Sequence, residues 1–314
     1  MKPNSHLSFV IPTYNRAEFL DCCLSLIIPS AKKFNIEIYI SDNFSGDNTR
    51  EVVSRKSKEY PLVKYFCNLS NLGADENFRI ALGLPRSDYI WLLGDTYQIK
   101  PESIDFLINF FLNEKFSADA IVFNVAKRVN NIINCDYFDR NKLLRDLGWH
   151  MTCMSSLVYS RRLILAANFD RYRNTNFIQT GIIFEYIENK DFFIKWVGDQ
   201  SVFPILVKDV AKNSWQDRTF EIWMNKWSNF IFSLAPSYDL NVKLDCIKDH
   251  GLKSGLFSVK GLLFLRGEGI LNLVTFWKFR YIFPLVIHSS ILTVFLISLM
   301  PKFIPKIIKN IFHK

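Results

Sequence analysis

The chain has 314 residues, enough for one large domain with an appendage or for two small ones, and 49% of them are hydrophobic. Its formal net charge of +9 asks for an anionic partner: nucleic acid, acidic lipid or a phosphorylated substrate. The basic residues are scattered, with no Lys/Arg block of the kind that marks a nucleic-acid tail, so no nucleic-acid partner is expected. Six cysteines, at 22, 23, 67, 135, 153 and 246, include no C-x-x-C pair, which favours buried, reduced thiols of a cytosolic compartment over a disulfide framework. Residues 1–6 are polar and carry no export signal.

In chain order, short apolar runs alternate with helical patterns. Residues 7–11 are an apolar run closed by Pro12, and 18–28 carry apolar residues at helical spacing. A second β-rich run covers 36–40, and 47–58 reads as a helix with Asp47 as N-cap or first-turn acid. A third strand covers 62–66, a helix 75–82, and a fourth strand 89–93. Residues 101–112 read as a helix with proline at its first position, and 120–125 as a fifth strand. This alternation predicts an α/β fold with a mainly parallel sheet and helices on both faces. Ligands of such sheets bind at the carboxyl ends of the strands.

The middle of the chain, 126–215, is less regular, with polar turns at 130–131 and 134–139 and a helix-like stretch over 177–188. Over 219–234 the spacing is helical again, with Phe220, Trp223, Trp227 and Phe230 or Ile231 on one face, a pattern that suits core packing. Residues 281–300 contain no Asp, Glu, Lys or Arg, a length that can span a bilayer. Pro284, His288, Ser289 and Ser290 interrupt that run. Lys278 and Arg280 precede it, and Lys302, Lys306, Lys309 and Lys314 follow. Residues 301–314 alternate lysine with Phe and Ile as an interfacial helix does, so the tail is expected to lie in one leaflet of an anionic membrane surface.

The residues just past each apolar run carry the chemistry. Pro12, Thr13, Tyr14, Asn15 and Arg16 offer a hydroxyl, a ring and an amide that can stack on a base and bond its edge, although they are also ordinary turn residues. After the second run, Asp42 and Asn43 precede Gly46 and Asp47. A plain turn accounts for Asp47 better than for Asp42, whose carboxylate can accept from a pyrimidine imide or ribose hydroxyls. Asn71, Gly73 and Asn77 follow the third run, where Gly73 allows positive φ and room for a nucleotide. Gly94 and Asp95 follow the fourth, where an acid suits a divalent cation bridged to a diphosphate.

Together "FVIPTYNR", "ISDNFSGDNT", "NLSNLGADEN" and "YIWLLGD" resemble glycosyltransferase family 2, of the GT-A fold, strongly over residues 6–125 and loosely to about 235. Within the family the chain looks nearest to bacterial O-antigen and capsule enzymes, the abequosyltransferase-like group. The resemblance implies a Rossmann-like GT-A domain over 1–215, with a nucleotide-sugar-binding half (1–125) and an acceptor half (126–215). A helical extension (216–280) and a membrane-associating tail (281–314) would follow. It implies Pro12, Thr13, Tyr14 and Arg16 in the nucleotide pocket with Asp42 and Asn43 at the base. Asn71, Gly73 and Asn77 would lie near ribose and diphosphate, and Gly94 and Asp95 at the metal, Mg²⁺ or Mn²⁺. The family's Asp-x-Asp element is here Asp95-Thr96-Tyr97, and tyrosine is no anionic ligand at neutral pH. Either Asp95 holds the metal with water and phosphate, or a cation such as Arg16, Lys100 or Arg86 replaces it, or catalysis is lost.

Where inverting members carry a catalytic carboxylate, this chain has residues 176–180 with no acid, and Gln179 can orient a hydroxyl but cannot take its proton. Asp170, Glu185 and His150 are the remaining base candidates. The implied reaction moves a sugar from a nucleotide-diphosphate donor to a lipid-diphosphate-linked glycan at the cytoplasmic face of the membrane. The alternatives are a nucleotide-sugar-binding protein without turnover and, more weakly, a nucleotidyltransferase. The latter favours a Gly-rich, Lys/Arg-bearing loop where this chain has Pro12-Thr13-Tyr14.

Overall fold

The computed structural model describes residues 3–113, 118–207 and 216–304. The chain divides into two compact units, one of residues 1–140 and 151–210, the other of 141–150 and 211–314.

The first unit is built on a nine-stranded sheet. Its strands are β1 (Leu7–Thr13), β2 (Glu37–Asp42), β3 (Val63–Cys67), β4 (Tyr89–Leu92), β5 (Tyr97–Ile99), β6 (Ala120–Val125), β7 (Cys135–Tyr137), β8 (Leu157–Ser160) and β9 (Ile194–Pro204). The order is β3-β2-β1-β4-β8-β6-β9-β5, with β7 paired to β9. Strands β3, β2, β1 and β4 are mutually parallel, whereas β8 runs antiparallel between β4 and β6. Two antiparallel steps restore direction, so β6 ends at the same edge as β4. The sheet is therefore mixed, with a parallel half that matches the sequence reading and an antiparallel insertion that does not.

Helices α1 (Ala17–Phe34), α2 (Thr49–Glu59), α3 (Ala74–Gly83) and α4 (Pro101–Asn113) connect the first strands. After them come α5 (Arg140–Leu147), most of which belongs to the second unit, then α6 (Arg161–Ala166) and α7 (Ile178–Tyr186). β1 continues through Pro12 because β4 pairs with it only over residues 7–10, so the missing amide donor falls beyond that ladder. α1 continues through Pro29, although the apolar pattern predicts an end at residue 28. An internal proline costs about 3 kcal/mol. The face carrying Leu20, Leu24, Ile27, Ile28 and Ala31 is buried, and each large aliphatic contributes about 1.5–3 kcal/mol, so burial wins.

β9 reads poorly as a strand because it carries a bulge. Its pairing with β6 jumps from Phe123↔Val197 to Asn124↔Ser201, leaving Gly198, Asp199 and Gln200 unpaired. Gly198 is required there: a Cβ would come within 2.7 Å of the Trp196 indole nitrogen and 2.9 Å of the Ile132 carbonyl. Trp91 anchors the core between β1 and β6. It stacks on Phe123 with ring centroids 4.5 Å apart and donates its indole N–H to the Ser155 carbonyl at 2.8 Å.

The second unit is helical. It contains a π-helical turn (Glu221–Lys226), then α8 (Trp227–Ser233), α9 (Leu240–Lys253), α10 (Val259–Gly267), α11 (Leu273–Phe279), α12 (Phe283–Val286) and α13 (Ile291–Leu299). Phe220, Trp227, Phe230 and Ile231 are buried, while Trp223 stacks on His250 at 4.5 Å. The expected apolar tail is broken into the short helices α12 and α13, with Pro284 at the start of one and Ser290 capping the other. Among the described residues no helix is long and apolar enough to cross a membrane. Lys306, Lys309 and Lys314 lie outside the described residues. All six cysteines are free, with Cys23 and Cys246 buried and the other four partly so.

Candidate functional site

The loops that follow β1, β2, β3 and β4 are laced together at one edge of the sheet. Thr13 donates its hydroxyl to Asp95 at 2.9 Å, and the Asn43 amide donates to the Thr13 carbonyl at 2.9 Å. The Asn68 amide donates to the Asp42 carbonyl at 2.9 Å. Asn15 takes a left-handed conformation, φ 52°, and its side chain accepts from the Gly46 amide. Asp47 accepts from the Ala17 amide at the start of α1 and from Thr49 at the start of α2, so one acid serves two helix N-termini.

Asp42 is 1% exposed. One carboxylate oxygen accepts from the Ser45 amide and hydroxyl at 2.9 and 2.6 Å, and the other accepts from the Tyr65 hydroxyl at 2.6 Å. Burial and the adjacent Asp42 carboxylate push the Tyr65 phenol up, so it remains a donor. Tyr14 and Phe44 are large aromatic side chains left exposed on the flanking loops, and Phe44 has φ 69°. Exposed rings beside a buried, oriented carboxylate form a place where a planar base can stack and be bonded at its edge.

The asparagines pair with one another. Asn43 donates to Asn71 at 2.8 Å and accepts from Asn68 at 3.0 Å and from the Leu72 amide at 3.0 Å. Asn77 accepts from Ser41 and Asn68 and donates to the Ser41 carbonyl at 3.0 Å. Asn77 is 3% exposed, so its amide is spent in holding the loops. Gly73 takes φ 83° with open space around it and starts α3.

Asp95 is 4% exposed, and Gly94 before it donates to the Ser155 hydroxyl at 2.9 Å. Burial raises the Asp95 carboxyl above the usual range, opposed by Arg16 at 3.3 Å and by the Thr13 hydroxyl. Tyr97, where a second acid is expected, lies beside the Cys153 thiol, which with burial pushes the phenol up. Arg128 faces the same two groups, and burial lowers its basicity without removing its charge. A hard divalent cation wants several oxygen ligands. Here one buried carboxylate already has both oxygens engaged, by a guanidinium and a hydroxyl. Among the described residues no group of three His, Cys, Asp or Glu side chains stands together. As they stand, Asp95 with Arg16 and Thr13 do not make up a metal site among the described residues. Of the expected replacements, only Arg16 reaches Asp95. Lys100 packs over the Phe203 ring at 4.9 Å, and Arg86 precedes β4 at the opposite edge of the sheet.

The head of α7 is tied to the same edge. Residues 151–156, which the sequence reading passes over, accept from Gln179 at the Thr152 carbonyl (3.1 Å) and from Thr180 at the Met151 carbonyl (2.9 Å). Ser155 in this segment is the partner of Gly94. Asp75, at the start of α3, accepts from the Asn176 amide at 2.9 Å. Gln179 is 4% exposed, and its side-chain oxygen finds no hydrogen-bond partner among the described residues. Two of the three base candidates are paired with arginines. Asp170 pairs with Arg173 at 2.9 Å and is largely exposed. Glu185 pairs with Arg171 at 3.2 Å, two turns along α7 from its head. His150 is fully buried in the second unit.

The fold and these strand-end loops define a GT-A-like mixed α/β domain. The family model for glycosyl transferase family 2 matches residues 8–166, and the chain belongs to that family. It is 41% identical to the abequosyltransferase RfbV of Salmonella typhimurium over 105 residues, 32% of this chain and 31% of the relative. It is 31% identical to the GalNAc(5)-diNAcBac-PP-undecaprenol beta-1,3-glucosyltransferase of Campylobacter jejuni over 90 residues, 28% of this chain and 29% of the relative. In both, the match spans less than a third of the relative's length. The S. aureus TarS structure with UDP-GlcNAc superposes with TM-score 0.56 at 13% identity, covering 85% of this chain and 79% of that one. The mannosyltransferase PcManGT from Pyrobaculum calidifontis, solved with GDP-Man and Mn²⁺, superposes with TM-score 0.55 at 12% identity, covering 95% and 89%. At such identities the likeness is one of fold.

Several residues of the site escape sequence reasoning: Ser45, Phe44, Tyr65, Asn68, Asp75, Arg128 and Ser155. Chain neighbours carry a local signal for Phe44 and Ser45, which follow Asn43, and for Asn68, which follows β3. Tyr65, Asp75, Arg128 and Ser155 meet the site through the tertiary fold.

Proposed function

We propose that this chain transfers a glycosyl unit from a nucleoside-diphosphate sugar to a hydroxyl of a lipid-diphosphate-linked glycan, at the cytoplasmic face of a membrane. The observation that carries the reading is the convergence of Thr13, Asp42 and Asp95 on one sheet edge, joined by the 2.9 Å Thr13–Asp95 bond. Asp42 would bond the base between Tyr14 and Phe44, and the Asp95 turn would face the diphosphate. Gln179 would accept from the acceptor hydroxyl through its unpartnered oxygen, orienting it toward the anomeric carbon. The hydroxyl bonds to that carbon as the carbon–phosphate oxygen bond breaks with its electron pair on the leaving diphosphate. The hydroxyl proton passes to solvent or to a base of the site.

Support for a lipid-linked acceptor comes from the named substrate of the Campylobacter relative. Support for membrane association comes from Val274, Trp277, Tyr281, Leu292, Leu296 and Phe303, each more than half exposed, with Lys278, Arg280 and Lys302 among them. The test is a thermal-shift screen with UDP, GDP, dTDP and CDP. One of the four should raise the melting temperature of the unaltered chain by mass action, and Asp42→Ala should abolish the shift. An equal shift in that variant would remove Asp42 from the site. No shift with any nucleotide would overturn the reading.

A further inference from the structure

We propose that the donor diphosphate is neutralised by protein guanidinium groups, Arg128 with Arg16, in place of a divalent cation. The inference rests on the donor-site reading above and deepens it.

The placement of Arg128 follows from the sheet. β9 lies between β5 and β6, and Val202 pairs with Ile99 on one side and Val125 on the other. β5 is antiparallel to β9 and β6 is parallel to it. Tyr97, two residues before Ile99, and Arg128, three residues after Val125, therefore come to the same end of the sheet. That is the edge where β4 ends and Asp95 sits. The turn that delivers Arg128 is tightly built. The Ala126 amide donates to the Val202 carbonyl at 2.9 Å and the Lys127 amide to the Ser201 hydroxyl at 3.2 Å. Asn124 brackets the turn, accepting from the Val129 amide and donating to its carbonyl. Ala126 and Lys127 take φ 47° and 56°, two successive left-handed residues without a glycine. That strain persists only where surrounding structure holds it, and such strain gathers at functional sites.

The outcome is a turn, 95–97, with a cation at each end. Arg16 is bonded to Asp95, and Arg128 faces Tyr97 and Cys153. Tyr97 stands where an acid would complete a metal site. An added cation there would meet Arg128, and among the described residues no group of three metal-ligating side chains stands ready for it. A diphosphate presents the opposite sign. A guanidinium binds it through paired N–H donors in a fixed plane and needs no further ligands. Charge that develops on the leaving oxygen would be held by groups already in place.

The test is isothermal titration of the full chain with UDP, GDP, dTDP and CDP, once in excess EDTA and once in excess MnCl₂. The expected result is that the nucleotide that binds does so with affinities within about twofold in the two buffers. Arg128→Gln should weaken that diphosphate by roughly tenfold to a hundredfold and the matching monophosphate by less than about threefold. Arg128→Lys, which keeps the charge but loses the fork, should fall between and serves as the second variant if Arg128→Gln melts early. A tenfold or greater loss in EDTA that MnCl₂ restores would overturn the inference and leave the donor site standing. So would a folded Arg128→Gln that binds the diphosphate as the unaltered chain does. Failure of all four nucleotides in both buffers would overturn the donor-site reading, and the inference with it.

Discussion

Thr13 and Asp95, 82 residues apart in sequence, share a buried 2.9 Å hydrogen bond that joins the ends of β1 and β4. Two neighbouring parallel strands thus present their terminal side chains to each other. The loops after them inherit a common position. The site is organised around this contact, because Arg16 enters from the β1 side and Gly94 is held from the far side by Ser155.

The Asp95 carboxyl should make stability depend on pH. Its folded carboxyl titrates above its unfolded value, because burial outweighs the attraction of Arg16 and Thr13. A raised folded value means the stabilising contribution is complete below the unfolded value, near pH 4, and is lost as pH rises through the folded one. At neutral pH the ionised group therefore costs stability. Asp95→Asn should melt higher than the unaltered chain at pH 7, with the gap closing toward roughly pH 4, while Arg16 loses its anionic partner. A lower melting temperature at neutral pH would mean the Arg16 pair outweighs burial. Melting curves across pH decide it.

The asparagine network should behave as one unit. Asn77→Ala removes one acceptor and one donor from a buried set that includes Ser41 and Asn68, leaving their partners unpaired. The expected loss is about 1–3 kcal/mol in urea unfolding, with the slope of the transition unchanged. An Asn43→Ala, Asn77→Ala double variant should lose less than the sum of the two singles, since both act through Asn68. Strict additivity would count against a shared network.

Gln179 separates stability from turnover. Gln179→Met keeps the volume and removes a buried oxygen with no partner among the described residues, at the cost of one bond to Thr152. The melting temperature should change little. Sugar transfer should fall by about tenfold or more, because the acceptor hydroxyl loses its guide. Unaltered turnover with purified acceptor would separate Gln179 from the acceptor.

The exposed apolar residues near the end of the described chain predict lipid binding. Cosedimentation with vesicles containing anionic lipid should be reduced by Trp277→Ser with Leu292→Ser and Leu296→Ser, and weakened by salt. Removal of residues 281–314 should release the chain from membranes. Full retention by that truncation would place the attachment elsewhere.

Much of the first 125 residues was legible from local pattern, because apolar runs, proline and helix-capping acids act within a few residues of themselves. The expected strands at 7–11, 36–40, 62–66, 89–93 and 120–125 all stand in the sheet, and Thr13, Asp42 and Asp95 follow directly on three of them. What failed was local in a misleading way. Pro29 looks like a helix end, but the buried face of α1 carries the helix past it. β8 has four residues and β9 hides its strand behind a bulge at Gly198, so neither announces itself.

Residue order alone was enough to establish the family, the parallel strands and the acids and asparagines at their ends, since these depend on neighbours in the chain. Long-range pairing settled everything else: that β8 enters antiparallel, that β9 pairs β6 with β5 so that the turn after β6 brings Arg128 to the end of the sheet where Tyr97 lies, that Asp95 is held by Arg16, and that residues 151–156 tie Gln179 to Gly94. Such contacts arise from sheet register and burial across a hundred residues or so of chain, and no local spacing encodes them.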